Sequence, residues 1–312
     1  MPNTEEALAG GPEGRGTLPP DYDAPTSLKS LLEAEGLAMS KRFGQNFLTD
    51  RKARTRILEE LKAEAGASVW EIGPGIGAMT ALALEAGLEV RAFEIDHGFA
   101  RLLRRCYGER PNFRLIEGDF LRTWRAELEA HGPPDRIFGN LPYSVANAIV
   151  CALIEGGLVP PRMVFTMQKE AALRMAAVPG SKDYSAFSVL CTSACKVRLA
   201  FDLGAGSFWP APRVTSSVVS LVPRAKPVAA DNRAAFSAFV RAAFSSRRKM
   251  LRNNLKANPG VWARKGSTAD GAETGTDPIE AALKGLGIRA DIRAEALRPE
   301  ELAAVHEALT RA

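Results

Sequence analysis

From Gly66 to Gln168 short apolar runs take turns with helix-like segments, and this alternation restricts the chain more than any other feature. The runs "SVWEIG", "VRAFEID", "NFRLIEGD", "RIFGN" and "RMVFTMQ" are separated by "AMTALALEAG", "FARLLRRCYG" and further stretches of helical spacing. Strand and helix repeated in this way imply a parallel sheet covered by helices on both faces. Two later runs, "CKVRLAFDL" and "SSVVSLVPR", share a shorter, Pro-rich connection that suits an antiparallel hairpin at the sheet edge. From about Pro227 the pattern becomes helical, with Phe236, Val240, Phe244, Leu251 and Leu255 roughly on one face, and "GSTADGAETGTDP" reads as a loop within that part. The expected organisation is a Rossmann-like α/β domain over residues 28–224 and a smaller C-terminal α-helical domain over 225–312. Before the first run, Ser27 is placed to cap a short helix carrying Leu28, Leu31 and Leu32. Thr49 or Asp50 starts a second helix through Ile57, Leu58 and Leu61 that ends near Gly66.

Residues 1–27 carry Glu5, Glu6, Glu13, Asp21 and Asp23 against Arg15 alone and read as a disordered acidic tail, not as a targeting peptide. That tail contributes −4, so residues 28–312 carry +9 to reach the chain's formal +5. A folded part this basic makes a polyanion a plausible partner. Even Val145–Val159 is broken by Asn147, Glu155 and two glycines, so no membrane span is expected. The four cysteines form no CxxC pair and the three histidines lie far apart, which implies reduced thiols and no structural metal.

The chemistry starts at "VWEIGPGIGAMT". Gly73, Gly75 and Gly77 follow a strand and open a helix, where missing side chains let a ligand approach the backbone. Such a turn also serves simply for tight helix packing, and it satisfies a dinucleotide fingerprint as well. Glu71, two residues before the first glycine, and the acidic turn at 117–119 point instead to a nucleoside cofactor. Glu94 would accept from two ribose hydroxyls and Asp119 from an adenine amino group. Each acid has an alternative: Glu94 as an exposed strand end, Asp119 as a helix cap. Their positions at the carboxyl ends of successive strands are where open α/β sheets bind ligands.

Asn140-Leu141-Pro142-Tyr143 ends the next strand in the same crevice. An adenine amino nitrogen is a poor nucleophile because its lone pair is delocalised, so a catalyst must favour the pyramidal form that arises during methyl transfer. The Asn140 side-chain oxygen and a main-chain carbonyl held by Pro142 can accept its two hydrogens. Tyr143 offers a face on which an extruded base stacks. The alternative is a proline turn with an Asx cap and a core tyrosine.

Taken together, "KRFGQNFLTD", "EIGPGIGAMT", "FEID", "EGDFL", "FGNLPYSVANAIV", "FTMQKEAALRM", "SFWPAPRVTSSVVSLVPR", "FSSRRKMLRNNLK" and "IRAEALRPEEL" resemble, in order, the ribosomal RNA adenine dimethyltransferases, above all the small-subunit enzymes. The resemblance runs from about residue 38 to the end. It implies a class I methyltransferase fold, S-adenosylmethionine held by Asn46, Leu48, Gly73, Glu94, Asp119 and Asn140, and an N-terminal segment folded over the cofactor. It also implies that Phe208 is a second aromatic beside the target base, with dimethylation at N6 of two neighbouring adenines in a small-subunit RNA hairpin. Action as a cytoplasmic monomer on the small ribosomal subunit, during its biogenesis, goes with it. Departures are Ala146, where a small hydroxyl residue is common, and Ser185, where glycine is usual.

Arg241, Arg247, Arg248, Lys249, Arg252 and Lys256 occur without one acid between 241 and 256, on what reads as a helix with an apolar opposite face. This favours RNA phosphate contact. Lys41, Arg42, Arg51, Lys52, Arg54 and Arg56 form a weaker candidate cluster. The rival readings are a large-subunit methyltransferase of the macrolide-resistance type, a non-enzymatic assembly factor and, more remotely, a nicotinamide enzyme.

Overall fold

The computed structural model describes residues 19–37, 46–262 and 277–311. Residues 1–18 of the expected tail, Lys41, Arg42 and most of the "GSTADGAETGTDP" loop lie outside the described residues. The elements are α1 (Pro25–Ala34), β1 (Phe47–Leu48), α2 (Arg51–Leu61), β2 (Ser68–Ile72), α3 (Ala78–Glu85), β3 (Glu89–Glu94), α4 (His97–Tyr107), β4 (Phe113–Glu117), α5 (Phe120–His131), β5 (Arg136–Asn140), α6 (Ala146–Glu155), β6 (Arg162–Gln168) and α7 (Lys169–Met175). They continue with α8 (Ala186–Ala194), β7 (Cys195–Leu203), β8 (Phe208–Trp209), β9 (Ser216–Pro223), α9 (Arg233–Ala243), α10 (Leu251–Lys256), α11 (Pro278–Gly285) and α12 (Pro299–Arg311).

Seven strands form one sheet in the order β4-β3-β2-β5-β6-β9-β7, the first five pairing in parallel and β9 running antiparallel to both β6 and β7. Because side chains alternate across a strand, successive apolar residues serve two cores. Trp70, Ile72, Ile137, Met163 and Phe165 pack under α5, α6 and α8, while Val69, Phe138 and Val164 pack under α2, α3 and α4. Burial on both faces is why these strands read as continuous apolar runs. The hairpin of β7 and β9 returns its second strand to the inside, so β9 and not β7 joins β6. Strand order reverses at β2, flanked by β3 and β5, and this switch point opens the crevice described below.

The N-terminal reading requires correction. Residues 19–27 are not a disordered tail: Tyr22 is buried, packs with Leu28 and Leu32 against Phe99 and Leu102 of α4, and shares a 2.6 Å hydrogen bond with the Tyr107 hydroxyl. Arg54 is 2% exposed and bonds Asp23 and, at 3.1 Å, the Ala78 carbonyl, so it is a structural residue of α2, not an RNA contact. Ser27 is not a cap, since Ala24 holds that position without a side-chain bond. Asp50 does cap α2, accepting from Ala53 N–H at 3.1 Å, and the helix stops at Leu61, where Lys62 adopts left-handed backbone.

The segment 241–256 is likewise not one helix. α9 ends at Ala243 and α10 begins at Leu251; the buried Asn254 donates to the carbonyls of Ala243 at 2.7 Å and Ser246 at 3.0 Å. That side chain satisfies carbonyls a continuing helix would have used, which fixes the turn. A third core joins α9, α10, α11 and α12 to Tyr184, Val189 and Leu190 at α8, so the helical part rests on the sheet domain through a shared apolar cluster.

Candidate active site

At the end of β2 the chain passes through Gly73, Gly75 and Gly77, all at positive φ. A Cβ at Gly75 would lie 3.2 Å from the Phe47 ring, and one at Gly77 would meet Leu103 at 2.9 Å and Tyr107 at 3.0 Å. Both positions therefore require glycine for space as well as for backbone conformation. Gly73, Pro74, Gly75 and Ile76 of the turn line a crevice of about 800 Å³, its open mouth included, within the size range of small-molecule sites.

Two acids reach this crevice. Glu94, at the end of β3, accepts from Gly75 N–H at 2.9 Å and Asp96 N–H at 2.8 Å, and burial pushes its carboxyl up to about 7. Glu71, on β2, is 2% exposed and accepts from the Thr80 hydroxyl at 2.6 Å; burial, with a smaller contribution from Glu94, pushes it up to about 8.

Asn140 closes β5. Its Nδ2 donates to the Asn46 carbonyl at 2.8 Å, which fixes the amide and leaves Oδ1 as its acceptor. Asn46 leads into β1, whose Phe47 and Leu48 line the crevice and which pairs antiparallel with β8, Phe47 opposite Trp209 and Leu48 opposite Phe208. Leu141 N–H donates to the Thr166 carbonyl at 3.0 Å, while the Pro142 carbonyl accepts from Val145 and Ala146 N–H to begin α6. Tyr143 is half-buried, and a 2.6 Å hydrogen bond to the Ser216 hydroxyl anchors its ring; burial raises its phenol.

Of the residues expected from sequence, Asn46, Leu48, Gly73, Gly75, Glu94, Asn140, Leu141, Pro142 and Tyr143 line one crevice. Gly77 shapes the turn from behind. Asp119 caps α5, accepting from Leu121 N–H at 3.0 Å as its alternative reading held, and stands apart from the lining residues of the crevice. Phe208 is a correction: it is 4% exposed and packs with Leu48 in the core under α2, because β8 turns this side chain inward. Glu71, read from sequence as a sign of a nucleoside cofactor, also lines the crevice, and the lining residues missed are Phe47, Pro74, Ile76, Ala78, Met79 and Ile95. Ile95 carried a signal, since an apolar residue directly after a strand-end acid, here 41% exposed, gives a flat ligand a wall.

Four of the six expected RNA-contact residues form ion pairs within the fold. Arg241 pairs with Glu155, Arg247 with Glu295 at 2.7 Å, Arg252 with Glu280, and Lys256 with Asp277 at 2.6 Å. Their acids come from distant segments, so the local charge run misled. Arg248 and Lys249 are exposed and have no ion pair among the described residues.

A glycine turn at a topological switch point, a strand-end acid beside it and an Asn-Leu-Pro-Tyr corner facing it define a class I methyltransferase built to act on an amino nitrogen. The family model "Ribosomal RNA adenine dimethylase" matches residues 36–281, and the chain belongs to that family. It is 44% identical over 281 residues to "Ribosomal RNA small subunit methyltransferase A" of Treponema denticola, covering 89% of this chain and 92% of the relative. The protein of the same description from Treponema pallidum is 42% identical over 236 residues, 76% of this chain and 82% of the relative. Among solved structures, a dimethyladenosine transferase from Plasmodium falciparum superposes with TM-score 0.66 at 23% identity over 82% of this chain and 94% of that one, a likeness of fold. The 23S rRNA methyltransferase ErmE gives TM-score 0.57 at 25% identity over 85% and 99%. The cofactor is S-adenosylmethionine, and the residues present fit it: a side-chain-free backbone cradle, a buried carboxylate for vicinal hydroxyls and an apolar wall.

Proposed function

We propose that this protein methylates N6 of two neighbouring adenosines, twice each, in a hairpin of small-subunit ribosomal RNA during subunit maturation. The observation that carries the chemistry is Asn140, whose amide is locked by the Asn46 carbonyl so that its oxygen remains available as an acceptor. S-adenosylmethionine, when bound, supplies an electrophilic methyl group. We assign the Asn140 oxygen and the Leu141 carbonyl to the two amino hydrogens of the target base, which draws the nitrogen toward the pyramidal form. Tyr143, anchored at Ser216, is the stacking platform for a base taken out of its helix. A general base is not required, since the N–H becomes acidic once nitrogen is alkylated and its proton passes to solvent.

The small-subunit assignment draws support from relatives that match along nearly the whole chain, helical part included. The test is transfer of labelled methyl to unmodified small subunits and to large-subunit RNA, followed by nucleoside analysis. N6,N6-dimethyladenosine in small-subunit RNA is expected. Label only in large-subunit RNA would move the substrate to that particle, and firm subunit binding with no label would leave an assembly factor.

For the RNA contact we choose Arg248 and Lys249, whose charges the fold does not use, with residues 225–312 as the ribosome-docking part. Replacing both with alanine is expected to weaken subunit binding about three- to tenfold at moderate salt and to flatten its salt dependence. Arg252→Gln, which removes the pair with Glu280, is expected to lower the thermal midpoint before it alters binding. Filter binding across a salt series checks both, and equal losses from all positions would spread the contact over the whole run. The same reading has the protein act as a monomer in the cytoplasm, where its four free thiols would stay reduced.

A further inference from the structure

The crevice has an unusual charge balance. Among the described residues its ionisable lining groups are Glu71, Glu94 and Tyr143, with no lysine, arginine or histidine. The two acids are not equivalent. Glu94 has two main-chain N–H donors, as a carboxylate needs, whereas Glu71 has the Thr80 hydroxyl as its hydrogen-bond donor.

Among the described residues, the groups around Glu71 offer no positive charge. Glu94 faces it from β3, Tyr22 from the N-terminal segment and Tyr107 from α4, and the two phenols bond each other. The nearest buried cation described above, Arg54, is directed at Asp23 and the Ala78 carbonyl instead. A carboxylate enclosed without a cation is strongly disfavoured, and such a group takes up a proton. Burial accordingly pushes the Glu71 carboxyl up to about 8.

We propose that Glu71 is the charge selector of the crevice: it holds a proton while the crevice is empty, gives it to solvent as the cationic methyl donor enters, and regains it once methyl transfer has left the neutral by-product sulfur in place. This rests on the reading that the crevice binds S-adenosylmethionine. The donor carries a sulfonium charge that S-adenosylhomocysteine lacks. In the reaction the S–CH3 bond breaks, its electron pair stays on sulfur, the N–CH3 bond forms, and the amino proton goes to solvent. The site thus loses a positive charge, and a solvent proton returns to Glu71 in its place. Ionised Glu71 therefore accompanies the donor and protonated Glu71 the by-product.

Glu94 is expected to ionise for either ligand, because both carry the same ribose hydroxyls. Its contribution cancels in the ratio of the two affinities, which isolates Glu71. The donor favours ionised Glu71, so its affinity rises as pH climbs toward the carboxyl's own range and levels off above it. Between pH 6 and pH 7, where an α-amino group stays protonated, the donor-to-by-product affinity ratio is expected to rise about three- to tenfold.

The experiment is isothermal titration calorimetry of the full chain with S-adenosylmethionine and with S-adenosylhomocysteine, at several pH values and in buffers of different ionisation enthalpy. Near pH 7 the donor is expected to release more protons than the by-product. Glu71→Gln, which copies the protonated side chain in shape, is expected to lower donor affinity about tenfold or more, to leave by-product affinity within about threefold, and to remove the pH dependence of the ratio. Retained by-product binding also reports that the variant is folded, and the wild-type pH series stands without any variant. Equal proton release for both ligands, or a ratio flat in pH, would overturn the assignment, as would loss of the effect only in Glu94→Gln. Absence of any donor binding would overturn the cofactor site itself, so the two failures are distinguishable.

Discussion

Asn140→Ala is expected to lower the rate of methyl transfer by about a hundred- to a thousandfold while S-adenosylmethionine still binds within about threefold. The side chain has two ends with separate tasks. Nδ2 is committed to the Asn46 carbonyl at 2.8 Å and ties β1 to the end of β5. Oδ1 is the acceptor for a hydrogen that grows more positive as the nitrogen attacks, so its bond is strongest in the transition state and the loss falls on kcat. Asn140→Asp separates the tasks. It retains an acceptor, but it sets a carboxylate against the Asn46 carbonyl and adds a third acid to a crevice already holding Glu71 and Glu94. That variant is expected to be slow as well, and to depart from alanine because its carboxylate repels the Asn46 carbonyl where alanine only loses the bond. Single-turnover transfer to small subunits, paired with calorimetric donor binding, checks both. An alanine variant within about tenfold of the wild-type rate would remove Asn140 from the chemistry.

What could be read in the sequence, and what could not, divides along the range of the interactions. The sheet was legible because strands covered on both faces must be apolar at every position, as Val69, Trp70, Phe138 and Val164 are, and because glycine and strand-end acids mark where such strands stop. Gly73, Glu94 and Asn140 were legible as site residues for the same reason: strand ends on one edge of a parallel sheet converge whatever the details of packing. Side-chain direction was not legible. Phe208 and Trp209 are neighbours in β8, yet pleating sends Phe208 into the core while Trp209 stacks near Phe47 at 6.4 Å, and the β1 pairing that fixes this is 160 residues away in the chain. The partners of the basic run were hidden similarly, since Glu155, Glu280 and Glu295 could not be known to fold back onto Arg241, Arg252 and Arg247. Tyr22 was hidden by its company, for a single aromatic among Gly, Pro and acids gives no periodicity.

That N-terminal segment yields the second large effect. Asp23→Ala is expected to destabilise the protein by roughly 2–3 kcal/mol, more than Arg54→Met at roughly 1–2 kcal/mol, although both remove the same ion pair. The asymmetry follows from burial. Asp23 is partly exposed, and water can take over from a lost guanidinium. Arg54 is 2% exposed, its Nε already lacks a partner, and without Asp23 its charge would rest on the carbonyls of Ala78 at 3.1 Å and Thr49 at 3.4 Å. Removing the charge together with its partner should therefore be milder than removing the partner alone, so the double variant is expected to be more stable than Asp23→Ala. Calorimetric unfolding of the three proteins checks the order. The loss is expected to show locally first, because residues 19–37 can leave without opening the sheet, and amide exchange in α1 would rise before exchange in β2 or β5. With Tyr22 gone from behind Gly77, the glycine turn loses one of the groups that back it, and donor affinity should fall together with protection of α1. Unchanged exchange in α1 alongside a lowered midpoint would mean that Arg54 serves α2 and α3 alone and that the segment is held by Tyr22 and Leu28 instead.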